Sequence, residues 1–581
     1  MHTVCLKQPV PFSLLKNRPE RWVYLGADYQ HTKNIATQLA SYKIDPLPIN
    51  ELFHTVSLNR KEEIIEFLSK TTEGAKNLSE WMSSIASRSA YTCTLIQDVV
   101  FLLVFEEIIK NSSKPLLVIV ESEEIFATLQ KKLSDSMQFF TYPGYTPQNQ
   151  YDLKQTIHKR CEYIHEQIQR RQSTLNDFPT EPITLISVWL NHGIMRKENP
   201  FAPYFGMLAD YLAEEKSPVY YLGYIWDHDH HELIKENISD RFANVLFPED
   251  WQTIPDILKS AALPLKHTSF YKNIRFNEFD ITGLVNQYQA HELSNPYNSK
   301  SLSMYYFFKN LRKQGVQIQR FIYPFENQPY EKASIAGLRE FYPDAKTIGF
   351  KHTTIPKFML GHFPTSQELK VMPHPDTIIT CGKSSYETLK TYWKPKVEVI
   401  EGCALRHTHL FTGKMSHQPP QKDICGVAFS IDTDVNTELL DIVQETAHKM
   451  PSITFLLKLH PAADNRSLLK QIEEKNQPNS AVFEGLPQDF LSCIDTMIFS
   501  ATDLAVQAAL MNLPVICYIP MGKLDMNPMD DSFITAKVFE QPALQNTILK
   551  LIRHKHKTPQ IKLERYYNPV EERYLKQFTH K

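Results

Sequence analysis

The sequence predicts an α/β protein built from doubly wound, largely parallel sheets in two Rossmann-like units. Three observations carry that expectation. Short Val/Ile-rich strands alternate with amphipathic helix patterns along most of the chain, as parallel sheets covered on both faces require. Two of those strands, 455–459 and 496–499, run straight into His460-Pro461 and Ser500-Ala501-Thr502-Asp503, small polar or basic groups at helix starts. The length of 581 residues also exceeds what one hydrophobic core organises.

Composition excludes several classes. A net charge of −2 gives no global attraction for nucleic acid, and 42% hydrophobic with 22% charged residues is ordinary for a globular chain. The eight cysteines (Cys5, Cys93, Cys161, Cys381, Cys403, Cys425, Cys493, Cys517) form no CxxC pair, and several sit in apolar runs, which suits a reducing cytosol. The opening MHTVCLKQPVPF is too short and polar for a signal peptide. The apolar run 99–105 stops at Glu106-Glu107, well short of the ~20 residues that cross a bilayer. The expectation is a cytoplasmic protein, at most peripheral at the inner face of the membrane.

Taken in order, 22–25 and 115–120 read as strands, the second feeding a helix over 122–132. Residues 151–172, rich in Lys, Arg, His and Gln, read as an exposed helix, either a solvated face or a weak membrane or partner contact. Strands follow at 184–189, 219–224 and 319–323, with a helix over 205–214 and a polar, turn-rich loop over 294–303. From about 375 to 542 the alternation tightens: strands at 377–380, 397–400 and 424–429, a helix over 436–449, the two strands above, and a last strand at 514–518. This gives a first Rossmann-like domain over 1–370 with a basic helical insertion near 150–180, a nucleotide-binding domain over 371–545, and a tail over 546–581 expected to cross back to the first domain. Two doubly wound halves in one chain imply a ligand cleft between them.

The candidate chemistry sits at strand ends. Pro461 ends its strand, leaving the His460 imidazole over the sheet's carboxyl edge, where it can donate to a phosphate oxygen, with Lys458 two residues back on the same face. Ser500, Ala501 and Thr502 offer hydroxyls and N–H groups at a helix start, which suit an anion or simply an N-cap. Gly382-Lys383-Ser384-Ser385 repeats that form at an earlier strand. Glu326 follows a strand among aromatics and prolines, placed for a general base or for a salt bridge. His352, after another strand, would line the same cleft. Asp227-His228-Asp229-His230-His231 alternates in direction and reads as a solvated loop, and Asp432-Thr433-Asp434 reads as a helix-start cap, so no catalytic metal is expected.

KLHP, a strand, a Ser/Thr turn and an Ala-rich helix ending in LPVICY together resemble the donor domain of GT-B glycosyltransferases. The branch is that of bacterial sialyltransferases, Kdo transferases of capsule synthesis and CDP-glycerol glycerophosphotransferases. YPFENQPYEKA, ISVWLNHGIMRKENPFAPYFGMLADYL and SEWMSSIASRSAYTCTLIQDVVFLLVFEEII are similar to a family of bacterial surface-carbohydrate biosynthesis proteins, over about 79–520. The resemblance implies a GT-B fold, two Rossmann-like domains facing across a cleft with an N-terminal elaboration. It also implies metal-independent transfer of a CMP-activated acidic sugar (legionaminic, pseudaminic or sialic acid, or Kdo) to a lipopolysaccharide or capsule glycan, with no cofactor beyond that donor. On this basis His460, Pro461 and Ser500 to Thr502, with Gly382, Ser384 and Ser385, would hold the nucleotide. Glu326 and His460 would be catalytic; Asn327, His352 and Arg406 would meet the substrates, with Arg406 or Lys458 as the cation for an acidic sugar. One departure is Asn191-His192, where related sequences lead one to expect a charged pair. A CDP-glycerol-type polyol-phosphate transferase, a non-catalytic GT-B scaffold and, more distantly, an epimerase with paired cleft carboxylates are the competing readings.

Overall fold

A computed structural model describes residues 2–9, 11–75, 77–142, 145, 152–171, 178–195, 197–214, 218–227, 229–267, 270–411, 423–461, 463–553 and 562–579. Three parallel sheets organise them. The N-terminal sheet holds β1 (Thr3–Leu6), β2 (Arg21–Leu25), β3 (Asp45–Pro46), β4 (Leu116–Val120) and β5 (Gln138–Phe140) in the order β3-β2-β4-β1-β5. The middle sheet begins with β6 (Ile183–Leu190), β7 (Val219–Ile225) and β8 (Val245–Leu246). After a small antiparallel pair, β9 (Arg275–Phe276) and β10 (Phe279–Asp280), it continues with β11 (Ile318–Pro324), β12 (Lys346–Lys351), β13 (Thr377–Thr380) and β14 (Glu398–Glu401). The C-terminal sheet holds β15 (Ile424–Ala428), β16 (Thr454–Lys458), β17 (Ser480–Val482), β18 (Thr496–Phe499), β19 (Val515–Tyr518) and β20 (Ala536–Val538).

The middle sheet runs β14-β13-β12-β11-β6-β7-β8 and the C-terminal sheet β17-β16-β15-β18-β19-β20. Counted within each sheet, both follow the doubly wound order 3-2-1-4-5-6, with a seventh edge strand in the middle one. In that order the ligand crevice opens beyond the carboxyl ends of the strands where winding reverses, here at β6/β11 and β15/β18. The mixed α/β, two-unit architecture is the expected fold class.

Three expectations need correcting. The boundary placed at 370/371 does not separate the sheets: Thr377 pairs with Ile348 and Glu398 with Thr377, so β13 and β14 complete the middle sheet. Strand–helix alternation runs unbroken through both sheets and so carries no mark of where one ends. Residues 1–140 likewise build a sheet of their own rather than the start of the middle one. The polar stretch 294–303 is mostly helix, Tyr297–Lys313, because Leu302, Phe307, Phe308 and Leu311 bury one face. Its serines point inward: Arg160 donates to Ser299 Oγ and the Tyr163 hydroxyl to the Ser299 carbonyl at 3.2 Å.

The apolar run 99–105 lies in the helix Leu95–Asn111, with Val99 to Phe105 buried all round in the N-terminal core. No helix among the described residues is long and apolar enough to cross a membrane. The tail packs on the middle sheet: Asn568 donates from its backbone to Cys381 O at 2.9 Å, and Arg320 to Thr579 O at 2.9 Å.

Candidate functional site

The carboxyl edges of the middle and C-terminal sheets face each other. On the C-terminal side Ala428 stands in register with both Lys458 and Phe499, so β15, β16 and β18 end level, and the loops beyond them present Ser430, His460 and Ser500. One flank is closed by Asp503, just past β18. Its carboxylate accepts from Thr354 Oγ1 at 2.7 Å and from the Tyr567 hydroxyl at 2.6 Å, and His407 Nε2 lies 3.2 Å away. Burial would raise this acid, but the bonds from His407, Tyr567 and Thr354 prevail and hold it well below the usual carboxylate range. Thr354 follows β12, His407 follows β14 and Tyr567 belongs to the tail, so one carboxylate ties three segments of the middle unit to the C-terminal sheet.

His460 caps its own turn: its carbonyl accepts from Asn465 Nδ2 at 2.9 Å and from the Ala463 N–H at 3.2 Å. Burial of the ring, with Arg406 adding to it, pushes the imidazole down to about 4, so it is neutral at pH 7. Arg406 is exposed, on the segment after β14, and makes no ion pair or hydrogen bond with any described residue. Its charge is nonetheless felt by His460, His352, Tyr204 and Tyr567. A guanidinium whose charge reaches two neutral imidazoles and two phenols has no anion of its own among the described residues.

Other expected residues are spent within the fold. Lys458 donates to Gly485 O and lies 5.5 Å from the centre of the Phe483 ring, so it braces its own domain. Ser500 is buried, and Thr502 Oγ1 accepts from the Leu504 N–H at 3.3 Å, an N-cap-like turn ahead of the short helix Leu504–Leu510. Pro461 is exposed and Ala501 half-buried at the same edge. Gly382 and Ser385 are not open to a nucleotide. The tail crosses that turn so closely that a Cβ on Gly382 would meet Tyr566 O at 2.2 Å, and Ser385 Oγ donates to Thr353 O at 3.3 Å. The half-buried Ser384 presents its carbonyl to Thr388 Oγ1 at 3.1 Å.

Glu326 also turns inward. Lys351, itself 1% exposed in its side chain, donates to Glu326 Oε1 at 2.6 Å, and His362 Nε2 lies 3.4 Å from Oε2. The Glu326 and Asn327 N–H groups both donate to the Glu331 carboxylate, which burial and then Glu326 push up to about 8. Asn327, at φ 56°, spends its amide on Gly361 O at 2.6 Å and does not face a substrate. His352 is buried edge-on to Trp189 and Tyr204, with ring centres 5.9 and 5.2 Å away, and burial drives its ring well below the ordinary value.

The open side of the middle crevice carries a group the sequence reading discounted. Asp227, just past β7, accepts from the His192 N–H at 3.1 Å and lies 3.0 Å from His230 Nδ1; the His192 and His230 ring centres are 4.5 Å apart. Burial would raise Asp227, but its bonds with His230 and His192 hold it below its usual range. The charge missing beside Asn191-His192 is thus supplied by the next strand. Neighbours that cannot gather round one metal can still form a two-residue pair. Asp229 raises Arg466 from across the cleft, after the larger effect of Asp464, so this loop looks onto the helix that follows the His460 turn. His228 lies outside the described residues. Asp432 accepts from the Asp434 and Val435 N–H groups at 3.0 and 3.2 Å, the helix-start cap expected of it.

Two other concavities are otherwise engaged. In the N-terminal sheet the Glu121 carboxylate fills the turn after β2, accepting from the Ala27 and Asp28 N–H groups at 2.7 and 3.2 Å. A small pocket beside β7 is lined by Tyr224, His231, Glu249, Gln252 and Lys300, and includes neither Arg406 nor His460.

No family model matches the sequence, and no curated protein matches it either. Among solved structures, a putative UDP-N-acetylglucosamine 2-epimerase from Listeria monocytogenes is 11% identical, aligning 68% of this chain with 94% of its own at a TM-score of 0.42. UDP-GlcNAc 2-epimerase from Neisseria meningitidis bound to UDP-GlcNAc is 11% identical over 64% of this chain and 92% of its own, at 0.37. A structure titled TarM is 10% identical over 64% and 92%, at 0.34. Likenesses of this strength carry neither ligand nor reaction over to this chain.

Proposed function

We propose that the chain is a glycosyltransferase that takes a sugar from a nucleotide donor on the C-terminal sheet and passes it to an acceptor at the middle sheet's crevice. The observation that carries this reading is Arg406, a cation unpaired among the described residues, whose charge reaches His460 where two doubly wound sheets face each other. A CMP-linked acidic sugar offers two adjacent anions. Its phosphate suits the N–H of a neutral His460 and the N–H groups of the Ser500–Thr502 turn, and its carboxylate suits the guanidinium of Arg406. In the transfer the acceptor oxygen bonds to the anomeric carbon, the carbon–oxygen bond to the phosphate breaks, and CMP leaves with the electron pair. His230, oriented by Asp227, receives the acceptor proton. Glu326, tied to Lys351, holds the wall of the cleft instead.

The cytidine assignment follows the resemblance of the HP segment, and a nucleotide panel tests it. A ligand at a hundred times its Kd stabilises the state it binds by about 2.7 kcal/mol. CMP should therefore raise the Tm by more than UDP or GDP at equal concentration, and CMP above CDP-glycerol favours sugar over polyol-phosphate transfer. Equal shifts with UDP or GDP would remove the cytidine assignment.

A further inference from the structure

We infer that the helices Leu153–Arg170 and Ile254–His267 form a docking face for an anionic phospholipid surface. Each carries an apolar stripe turned to solvent. Leu153, Ile157 and Ile168 on the first, and Ile254, Leu258 and Leu265 on the second, are between 38% and 56% exposed, and Cys161 is exposed in the same row. Their spacing of four and seven keeps each row on one helix face. The rows adjoin: Ile164, in line with Ile157 and Ile168, packs against Ile257 and Ala261 of the second helix, so the first stripe runs along the seam between them.

The charges around the stripes choose the partner. Lys154, Lys159, Lys259 and Lys266 make no ion pair with any described residue. The acidic neighbours Glu162 and Glu166 are engaged by His158 at 3.2 Å and Arg170 at 2.5 Å, and Asp152 caps the first helix. Apolar rows flanked by unpaired lysines match the acyl and headgroup layers of an anionic membrane. A second copy meeting this face through a two-fold axis would bring both sets of four lysines into one interface. The first helix ends at Arg170, whose carbonyl accepts from Lys235 at 2.7 Å in the helix that follows the Asp227 loop. A lipid-borne acceptor held here would therefore lie near the middle crevice.

Vesicle flotation with the full chain tests this. The protein should float with vesicles of equal parts phosphatidylcholine and phosphatidylglycerol, not with phosphatidylcholine alone, and should be released by high salt. The double variant Ile157→Glu/Leu258→Glu should lose flotation at an unchanged Tm, since both side chains are exposed. Lys154→Gln and Lys259→Gln should each weaken binding about fivefold. The proposal is overturned if the wild type ignores phosphatidylglycerol or if the glutamate pair floats like wild type. It is equally overturned if the wild type is a dimer that the glutamate pair turns into a monomer, which would give the face to a second copy.

Discussion

Single residues in this cleft divide by whether the fold has already used them. Arg406 is exposed and makes no ion pair or side-chain hydrogen bond with any described residue, whereas Glu326, Asn327 and Lys458 are bonded within their own walls. Glu326 gives the sharpest consequence. Replacing one member of a buried ion pair strands the other, at a cost of about 3–5 kcal/mol. Glu326→Gln keeps the shape but leaves Lys351 buried without its counter-charge, so thermal unfolding should show a Tm lowered by several degrees. A variant with wild-type Tm and lost turnover would instead return Glu326 to the role of base. The sequence showed a carboxylate between aromatics and prolines at a strand end. It did not show Lys351, which reaches the acid from the neighbouring strand β12.

At the scale of elements, what was legible was local. A buried strand, its polar or proline stop and the helix after it are all written in neighbouring residues, and β16 and β18 with their His460 and Ser500 turns stand where the pattern put them. Contacts made by distant segments were not. Gly382-Lys383-Ser384-Ser385 has the same local form as the Ser500 turn, yet Tyr566 and Tyr567 from the tail lie on it. Gly382→Ala would push a Cβ into backbone, within 2.7 Å of Tyr567 N as well as 2.2 Å of Tyr566 O, and overpacking of that kind costs about 1–3 kcal/mol. Hydrogen exchange should quicken over residues 562–579, with nucleotide binding retained. Lost binding with the tail still protected would put Gly382 back at the nucleotide.

Across the whole molecule, the middle and C-terminal sheets are joined at several points, Lys357 on Asp525 at 3.2 Å among them. Asp503 gathers Thr354, His407 and Tyr567 at the crevice. The N-terminal unit holds the other flank, with Lys33 on Asp441 at 2.9 Å and Asn50 on the Phe539 carbonyl at 3.3 Å, while Thr72 donates to Glu368 of the middle unit at 2.6 Å. Hinge opening would have to break these bonds, so the distance between Arg406 and the His460 turn is set largely by the fold. Sequence alternation gave two doubly wound units but neither their boundary nor this bracing, because sheet membership is decided by pairing across long separations. In the function proposed above, Arg406, from the middle unit, completes an anion site on the C-terminal one. Calorimetric titration of CMP into wild type and Arg406→Ala tests it most directly. An exposed, unpaired arginine leaves stability within about 0.5 kcal/mol when removed, while loss of a charge-assisted bond of about 1.5–3 kcal/mol weakens binding ten- to hundredfold. That weakening at an unchanged Tm is the predicted result, and equal CMP affinity in the two proteins would contradict the account.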